Sequence, residues 1–94
     1  MPPKQYTLDI ARPARKDILA LPPKIRRQAE QAIDRLIAAL DQGQRPQDIK
    51  PIKGEPDTYR IRVGHYRVLY YLDDKAHILT VLRVQHRKDA YRNL

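Results

Sequence analysis

The spacing of apolar residues in the first half of the chain predicts two helices. Apolar residues recur every three or four positions across residues 25–40, with charged residues between them, which is typical of an amphipathic helix. A shorter helix is predicted over residues 14–21, after Pro13, because proline fits the first turn of a helix. The Pro22-Pro23 pair must interrupt the two, since the residue before a proline avoids helical backbone. We therefore expect a helical hairpin with one apolar side.

The remaining pattern predicts strands. Residues 6–10 alternate apolar and polar side chains, and two further alternating runs flank Gly64-His65, which is typical of a β-hairpin. Residues 78–84 are almost continuously apolar, as expected of an interior strand covered on both faces. Residues 44–57 are polar and broken by prolines, so we expect a loop there. The predicted order is β-α-α-β-β-β in a single domain, residues 1–94.

The predicted hairpin has one cationic face. If Gly64-His65 is a two-residue turn, Arg62 lies opposite Arg67, and Arg60 lies opposite Leu69 on the same face. We call Arg60, Arg62 and Arg67 the basic face. Arginines directly opposite each other destabilise a sheet by a few tenths to about 1 kcal/mol, and neither strand carries a carboxylate nearby. This favours an anionic ligand, although arginines also cover apolar surface with their stems.

Composition supports the same conclusion. The 94 residues include 19 Lys and Arg against 11 Asp and Glu, a net charge of +8, which favours a polyanionic partner such as nucleic acid. An acidic protein partner is the competing explanation. The absence of cysteine excludes disulfides, thiolate metal sites and a cysteine nucleophile. No export signal and no stretch of roughly 20 apolar residues is present, so we expect a cytoplasmic protein without a membrane partner.

The available chemistry is that of arginine. The three histidines match no metal-binding spacing, and no phosphate-binding loop or nucleophile motif occurs, so we expect neither a metal nor a cofactor. Cleavage of RNA through its own 2'-hydroxyl needs a base, an acid and stabilisation of the added charge on phosphorus. Arginine supplies the stabilisation, whereas its high pKa makes it a poor acid or base. His86 and Tyr91 are the nearby groups able to move protons.

Two segments resemble the RelE/ParE toxin superfamily. They are the string from Tyr59 to Tyr70, which reads YRIRVGHYRVLY, and the string from Val84 to Arg92, which reads VQHRKDAYR. The resemblance implies an α+β fold, with a small antiparallel sheet and a two-helix hairpin packed on one face. It also implies a cytoplasmic toxin of a type II toxin-antitoxin system, neutralised by a cognate antitoxin. Operator DNA would be bound only through the antitoxin complex.

In the RelE branch the toxin enters the ribosomal A site and cleaves mRNA there, so the resemblance implies a metal-independent endoribonuclease that inhibits translation. By analogy Arg67 and Arg87 would stabilise the scissile phosphate, and Tyr91 would contact or deprotonate the nucleotide. The substrate-binding residues predicted are Arg60, Arg62, Arg83 and His86. The best-known RelE pattern has lysine at the positions of Arg60 and Arg62, so proton transfer would fall on Tyr91, His86 or the ribosome.

Two other functions fit the same resemblance. A ParE-like toxin would inhibit DNA gyrase without cleaving RNA, although we expect that branch to lack the tyrosine at position 91. An inactive relative would bind only its antitoxin and operator DNA. The face on which Arg83 lies is also open at this point, because it depends on the length of the turn at residues 73–75.

Overall fold

The computed structural model describes residues 5–45 and 50–88, and this part of the chain forms two helices and five strands. In chain order the elements are β1 (Thr7–Ile10), α1 (Arg12–Ala20), α2 (Pro23–Asp41), β2 (Lys50–Pro51), β3 (Thr58–Val63), β4 (Tyr66–Asp73) and β5 (Ile78–His86). The α+β class and the helical hairpin are confirmed.

Local sequence sets the ends of both helices. Pro13 lies in the first turn of α1, and Leu21 has extended backbone (ψ 147°), as expected of a residue that precedes a proline. Pro23 then begins α2. At the other end of α2, Gly43 has a φ of 75° and donates its N–H to the carbonyl of Leu40, while the next N–H bonds to Ala39. This pair of bonds is a Schellman motif, which stops the helix.

The strands form one sheet in the order β1-β5-β4-β3-β2. Neighbouring strands run antiparallel except β1 and β5, which are parallel, so the sheet is mixed rather than wholly antiparallel. A parallel pair needs a long connection, and here most of the chain lies between the two strands. The predicted last strand, β5, is interior, because it pairs with β1 on one side and β4 on the other.

The predicted loop over residues 44–57 contains one strand that the pattern did not indicate. β2 consists of Lys50 and Pro51, which pair with Arg60 and Tyr59 of β3. Two residues are too few to show an alternation, and a proline within a run normally argues against a strand. Proline is tolerated here because β2 lies at the sheet edge, where one side of the backbone needs no partner.

Both helices pack on the same face of the sheet. Ala14 of α1 and five residues of α2 join one apolar cluster with the inward side chains of β3, β4 and β5. The sheet residues of this cluster are Ile61, Val63, Val68, Tyr70, Leu72, Leu79, Val81 and Val84. Tyr59 and Tyr66 pack at the margin of this cluster. The basic face is therefore on the side of the sheet away from the helices.

Candidate nucleic-acid interface

The β3–β4 hairpin holds the basic face in the predicted register. Arg62 lies directly opposite Arg67, and Arg60 lies opposite Leu69. The turn consists of Gly64 and His65, and Gly64 has a φ of 59°, as a type II′ turn requires of its first central residue. Because a two-residue turn allows no slippage, the two arginines of the cross-strand pair must share one face.

Arg67 is the centre of this arrangement. Its Nη1 donates to the carbonyl oxygen of Tyr66 at 2.9 Å and to that of Gly64 at 3.3 Å, which fixes the side chain beside the turn. Partial burial lowers the pKa of the Arg67 guanidinium, and neighbouring positive charges lower it further. Those charges belong to Arg62, Arg60 and Arg87. The positive charges of these three arginines therefore act on the Arg67 guanidinium.

In the described part of the chain, no carboxylate forms an ion pair with either arginine of the cross-strand pair. The ion pairs found within residues 5–45 and 50–88 are Arg45 with Asp74 and Arg83 with Asp17, and neither includes Arg62 or Arg67. The hydrogen bonds of Arg67 go to neutral backbone carbonyls. An anion bound here would relieve the repulsion and use guanidinium donors that can grip a phosphate with two parallel hydrogen bonds.

Arg87 reaches the same place from the end of β5. Its backbone N–H donates to the carbonyl of His65 at 2.7 Å, which ties the chain after β5 to the hairpin turn. The His86 ring packs edge-on against Tyr66, with 5.3 Å between ring centroids, and lies 6.2 Å from the ring of His65. The Nδ1 atom of His86 accepts the N–H of Lys88 at 3.3 Å. His86 therefore sits beside the turn and helps to fix the approach of Arg87.

The structure does not bring Arg83 to the basic face as a free cation. The register places it opposite Leu69, but its Nε donates to Asp17 Oδ2 of α1 at 2.8 Å and its Nη2 donates to Oδ1 at 3.2 Å. The same carboxylate accepts the backbone N–H of Val84 at 2.9 Å. Hydrogen bonding to Asp17 raises the pKa of Arg83. Its charge is already balanced, so Arg83 holds α1 against β5, and its role in substrate binding stays a prediction.

Two residues near the site were not indicated by the sequence pattern. Asp17 is separated from Arg83 by 66 positions along the chain, and no local motif connects them. Lys50 lies opposite Arg60 through the unexpected strand β2 and adds a cation beside the basic face.

Leu69 is only 2% exposed although it faces away from the helices. Its register neighbours are Arg60 on β3 and Arg83 on β5.

The remaining expectations concern residues or groups that the structure does not place. Tyr91 lies outside the described residues. In the described part of the chain, no cluster of three or more potential ligands could hold a metal ion. None of the helices there is long and apolar enough to cross a membrane.

Comparison with known proteins identifies the family. The family model described as the ParE toxin of type II toxin-antitoxin systems matches residues 8–91. The chain therefore belongs to the RelE/ParE toxin superfamily. Toxin RelG of Mycobacterium tuberculosis is 36% identical over 89 residues, which cover 93% of this chain and 97% of RelG. The chain is a toxin of the RelE family.

Solved structures of the superfamily share the fold. The RelBE2 toxin-antitoxin complex of M. tuberculosis matches with a TM-score of 0.65 and 32% identity, covering 89% of this chain and all of the matched chain. The RelB–RelE complex of Methanococcus jannaschii matches with a TM-score of 0.72 and 30% identity, covering 92% and 98% of the two chains. The architecture described above is therefore that of RelE toxins.

Proposed function

We propose that this toxin is a ribosome-dependent endonuclease that cleaves mRNA in the A site and so inhibits translation. The observation that carries the proposal is the cross-strand pair of Arg62 and Arg67, joined by Arg87 and lacking an ion-pair partner within the described residues. A phosphodiester supplies the missing negative charge. Similarity to Toxin RelG adds support from the sequence.

The proposed reaction uses the 2'-hydroxyl of the mRNA as the nucleophile. As this oxygen attacks the adjacent phosphorus, the 5'-oxygen of the next nucleotide leaves, and negative charge accumulates on the phosphoryl oxygens. Arg67 and Arg87 stabilise that charge, because the Arg67 guanidinium is already held beside the hairpin turn and the Arg87 backbone is tied to the same turn. Arg60 and Arg62 hold the flanking phosphates. The scheme needs no metal ion, since guanidinium groups take the electrostatic role.

Proton transfer in this scheme falls on other groups. Arginine retains its proton at any physiological pH, so it cannot act as the base. His86, beside the turn, and Tyr91, in the chain that follows, are the residues able to accept or donate a proton, together with groups of the ribosome. The packing of its ring on Tyr66 holds His86 beside the hairpin turn, next to Arg87.

The proposed partners are a cognate antitoxin, the ribosome and its mRNA. The RelBE2 and RelB–RelE relatives were solved as toxin-antitoxin complexes, which supports an antitoxin partner for this chain. In this proposal the antitoxin keeps the toxin from the ribosome, and operator DNA is reached only through the antitoxin complex. A ribosomal target places the toxin in the cytoplasm.

Purified ribosomes carrying a defined mRNA test the proposal. The toxin is expected to cut within the A-site codon, Arg87→Ala to abolish the cut, and Tyr91→Phe to reduce it strongly. Arg12→Ala is a matched control, because it removes an exposed arginine of α1 outside the basic face. Intact mRNA in the presence of well-folded toxin would reject the proposal.

Gyrase inhibition is the second candidate, because the matching family model is that of the ParE toxin. A supercoiling assay with DNA gyrase separates the two functions. Inhibition of supercoiling by the pure toxin, without mRNA cleavage, would assign it to the ParE-like function. Cleavage without an effect on gyrase would assign it to the RelE-like function.

A further inference from the structure

A groove of about 370 Å³ runs between α2 and the end of strand β3, beside the hairpin turn. One wall is a stripe of α2, and the other wall is formed by Arg62 and Gly64. The residues of the α2 wall are Gln28, Gln31 and Arg35. Buried Ala32 and Val63 form an apolar floor. The volume is within the range of small-ligand sites, about 300–1,000 Å³.

The chemistry of the groove is that of an anion site. An arginine lines each wall, Arg35 on α2 and Arg62 on β3, and Gln28 and Gln31 of α2 have carboxamides that carry N–H donors. Neither arginine forms an ion pair with any carboxylate in residues 5–45 and 50–88. Among the described residues, no acidic side chain lines the groove. A phosphate between the two walls would receive donors from both sides.

The groove is continuous with the basic face through Arg62, which contributes to both. We infer that the groove binds the phosphodiester backbone of a single RNA strand as it leaves the basic face around the edge of the hairpin. The inference rests on the proposed function, because the RNA in the groove is the continuation of the RNA strand on the basic face. It assigns to Arg35 a role in affinity for flanking nucleotides and no role in bond cleavage.

Binding of labelled single-stranded RNA by the full-length toxin tests the inference. The probes are one oligonucleotide of about four nucleotides, short enough for the basic face alone, and one of about sixteen. Loss of one phosphate contact lowers affinity about fivefold at 0.1 M salt. Arg35→Gln is therefore expected to weaken the long RNA about fivefold and leave the short RNA unchanged, whereas Arg62→Gln weakens both. Arg12→Gln is expected to change neither.

A second experiment, with ribosomes, distinguishes whether the RNA strand in the groove is mRNA or ribosomal RNA. If the groove holds mRNA, Arg35→Gln raises the toxin concentration needed for half-maximal cleavage on long but not truncated mRNA, with the rate at saturation unchanged. If it holds ribosomal RNA, the increase is the same for both mRNAs. The first result, together with weaker binding of the long RNA, supports the inference. The second result would assign the groove to an RNA strand other than the one on the basic face and would contradict the inference.

Three further outcomes would overturn the inference. Equal binding of the long RNA by wild type and Arg35→Gln would exclude the groove from RNA contact. Weaker binding of an oligoglutamate peptide by Arg35→Gln, with RNA binding unchanged, would assign the groove to an acidic protein segment. A reduced saturated cleavage rate would place Arg35 in the chemistry instead. If wild type fails to cleave mRNA but Arg35→Gln still weakens the long RNA, the proposed function fails and the groove stands.

Discussion

The two ends of the sheet use the same kinds of side chain in opposite ways. At the hairpin end, around the Gly64-His65 turn, Arg62 lies opposite Arg67, and neither forms an ion pair with a carboxylate among the described residues. At the far end, around the turn that joins β4 to β5, Asp74 binds Arg45 at 2.7 Å and accepts the hydroxyl hydrogen of Tyr6 at 2.6 Å. Among the described residues, arginine charge is balanced by a carboxylate at the far end and is not balanced at the hairpin end.

The balanced end ties chain segments together. Besides its hydroxyl bond, Tyr6 donates its backbone N–H to Asp41 at the end of α2 and packs its ring 4.8 Å from His77. Hydrogen bonding to Tyr6, then to Arg45, lowers the pKa of Asp74. The contrast teaches that arginine number alone does not mark a binding site. The deciding observation is whether an acidic side chain of the same protein has already been placed beside each guanidinium.

The largest expected effect is on catalysis at the hairpin end. Arg67→Gln removes the central guanidinium, and loss of one donor that stabilises transition-state charge costs about 100- to 1,000-fold in rate. We expect cleavage of ribosome-bound mRNA to fall by at least about 100-fold. The free energy of unfolding should not fall with it, since the variant also loses repulsion from Arg62. A variant that cleaves normally would remove Arg67 from the site.

The next largest effect concerns Arg83, whose charge is balanced by Asp17. Asp17→Ala leaves the guanidinium of Arg83 and the N–H of Val84 without their acceptor. We expect the free energy of unfolding to fall by about 2 kcal/mol, the cost of losing hydrogen bonds to a charged group. Asp34→Ala, at an exposed site on α2, is the matched control. Equal stability of the two variants in urea would show that the Asp17 contacts add nothing.

A smaller, pH-dependent effect is expected at the far end. The pKa of Asp74 is lowered in the folded protein, so its contribution is present above the ordinary carboxyl pKa of about 4 and disappears as the pH falls through the lowered value. Because the side chain is 55% exposed, Asp74→Asn should cost only about 1 kcal/mol at pH 7. Urea titrations near pH 7 and pH 2 check this. A difference that persists unchanged at low pH would contradict the explanation.

The smallest effect has the opposite sign. Arg62→Gln removes one member of the cross-strand pair, and relief of the repulsion should raise the free energy of unfolding by a few tenths to about 1 kcal/mol at low salt. The gain should shrink at about 1 M salt, where charges on the surface are screened. Thermal or urea unfolding measures it. A loss of stability would reveal a favourable partner for Arg62 and weaken the comparison of the two ends.

The hairpin end could be predicted from the sequence because its geometry is local. A two-residue turn with glycine leaves one register, and the pairs of Arg62 with Arg67 and Arg60 with Leu69 are confirmed. The helix ends follow local rules too, through prolines and Gly43. The roles of these arginines, and of Tyr91 beyond the described residues, stay predictions.

The features that the sequence did not predict depend on pairing between residues that are far apart in the chain. β5 has a register shift opposite Leu69 and Tyr70, with Leu82 as the extra residue, and a nearly continuous apolar run gives no alternation to locate such a bulge. The contact of Arg83 with Asp17 follows from how α1 packs beside β5. The parallel pairing of β1 likewise depends on the whole connection between the strands.

The salt dependence of RNA affinity tests most directly whether the unbalanced arginines hold phosphates. Affinity for a single-stranded RNA is measured over a range of salt for wild type, Arg67→Gln and Arg45→Gln, which removes an arginine from the balanced end. The slope of log affinity against log salt is expected to fall by about 0.7 for Arg67→Gln and to stay unchanged for Arg45→Gln. Equal slopes for all three proteins, or equal losses for both variants, would contradict the claim.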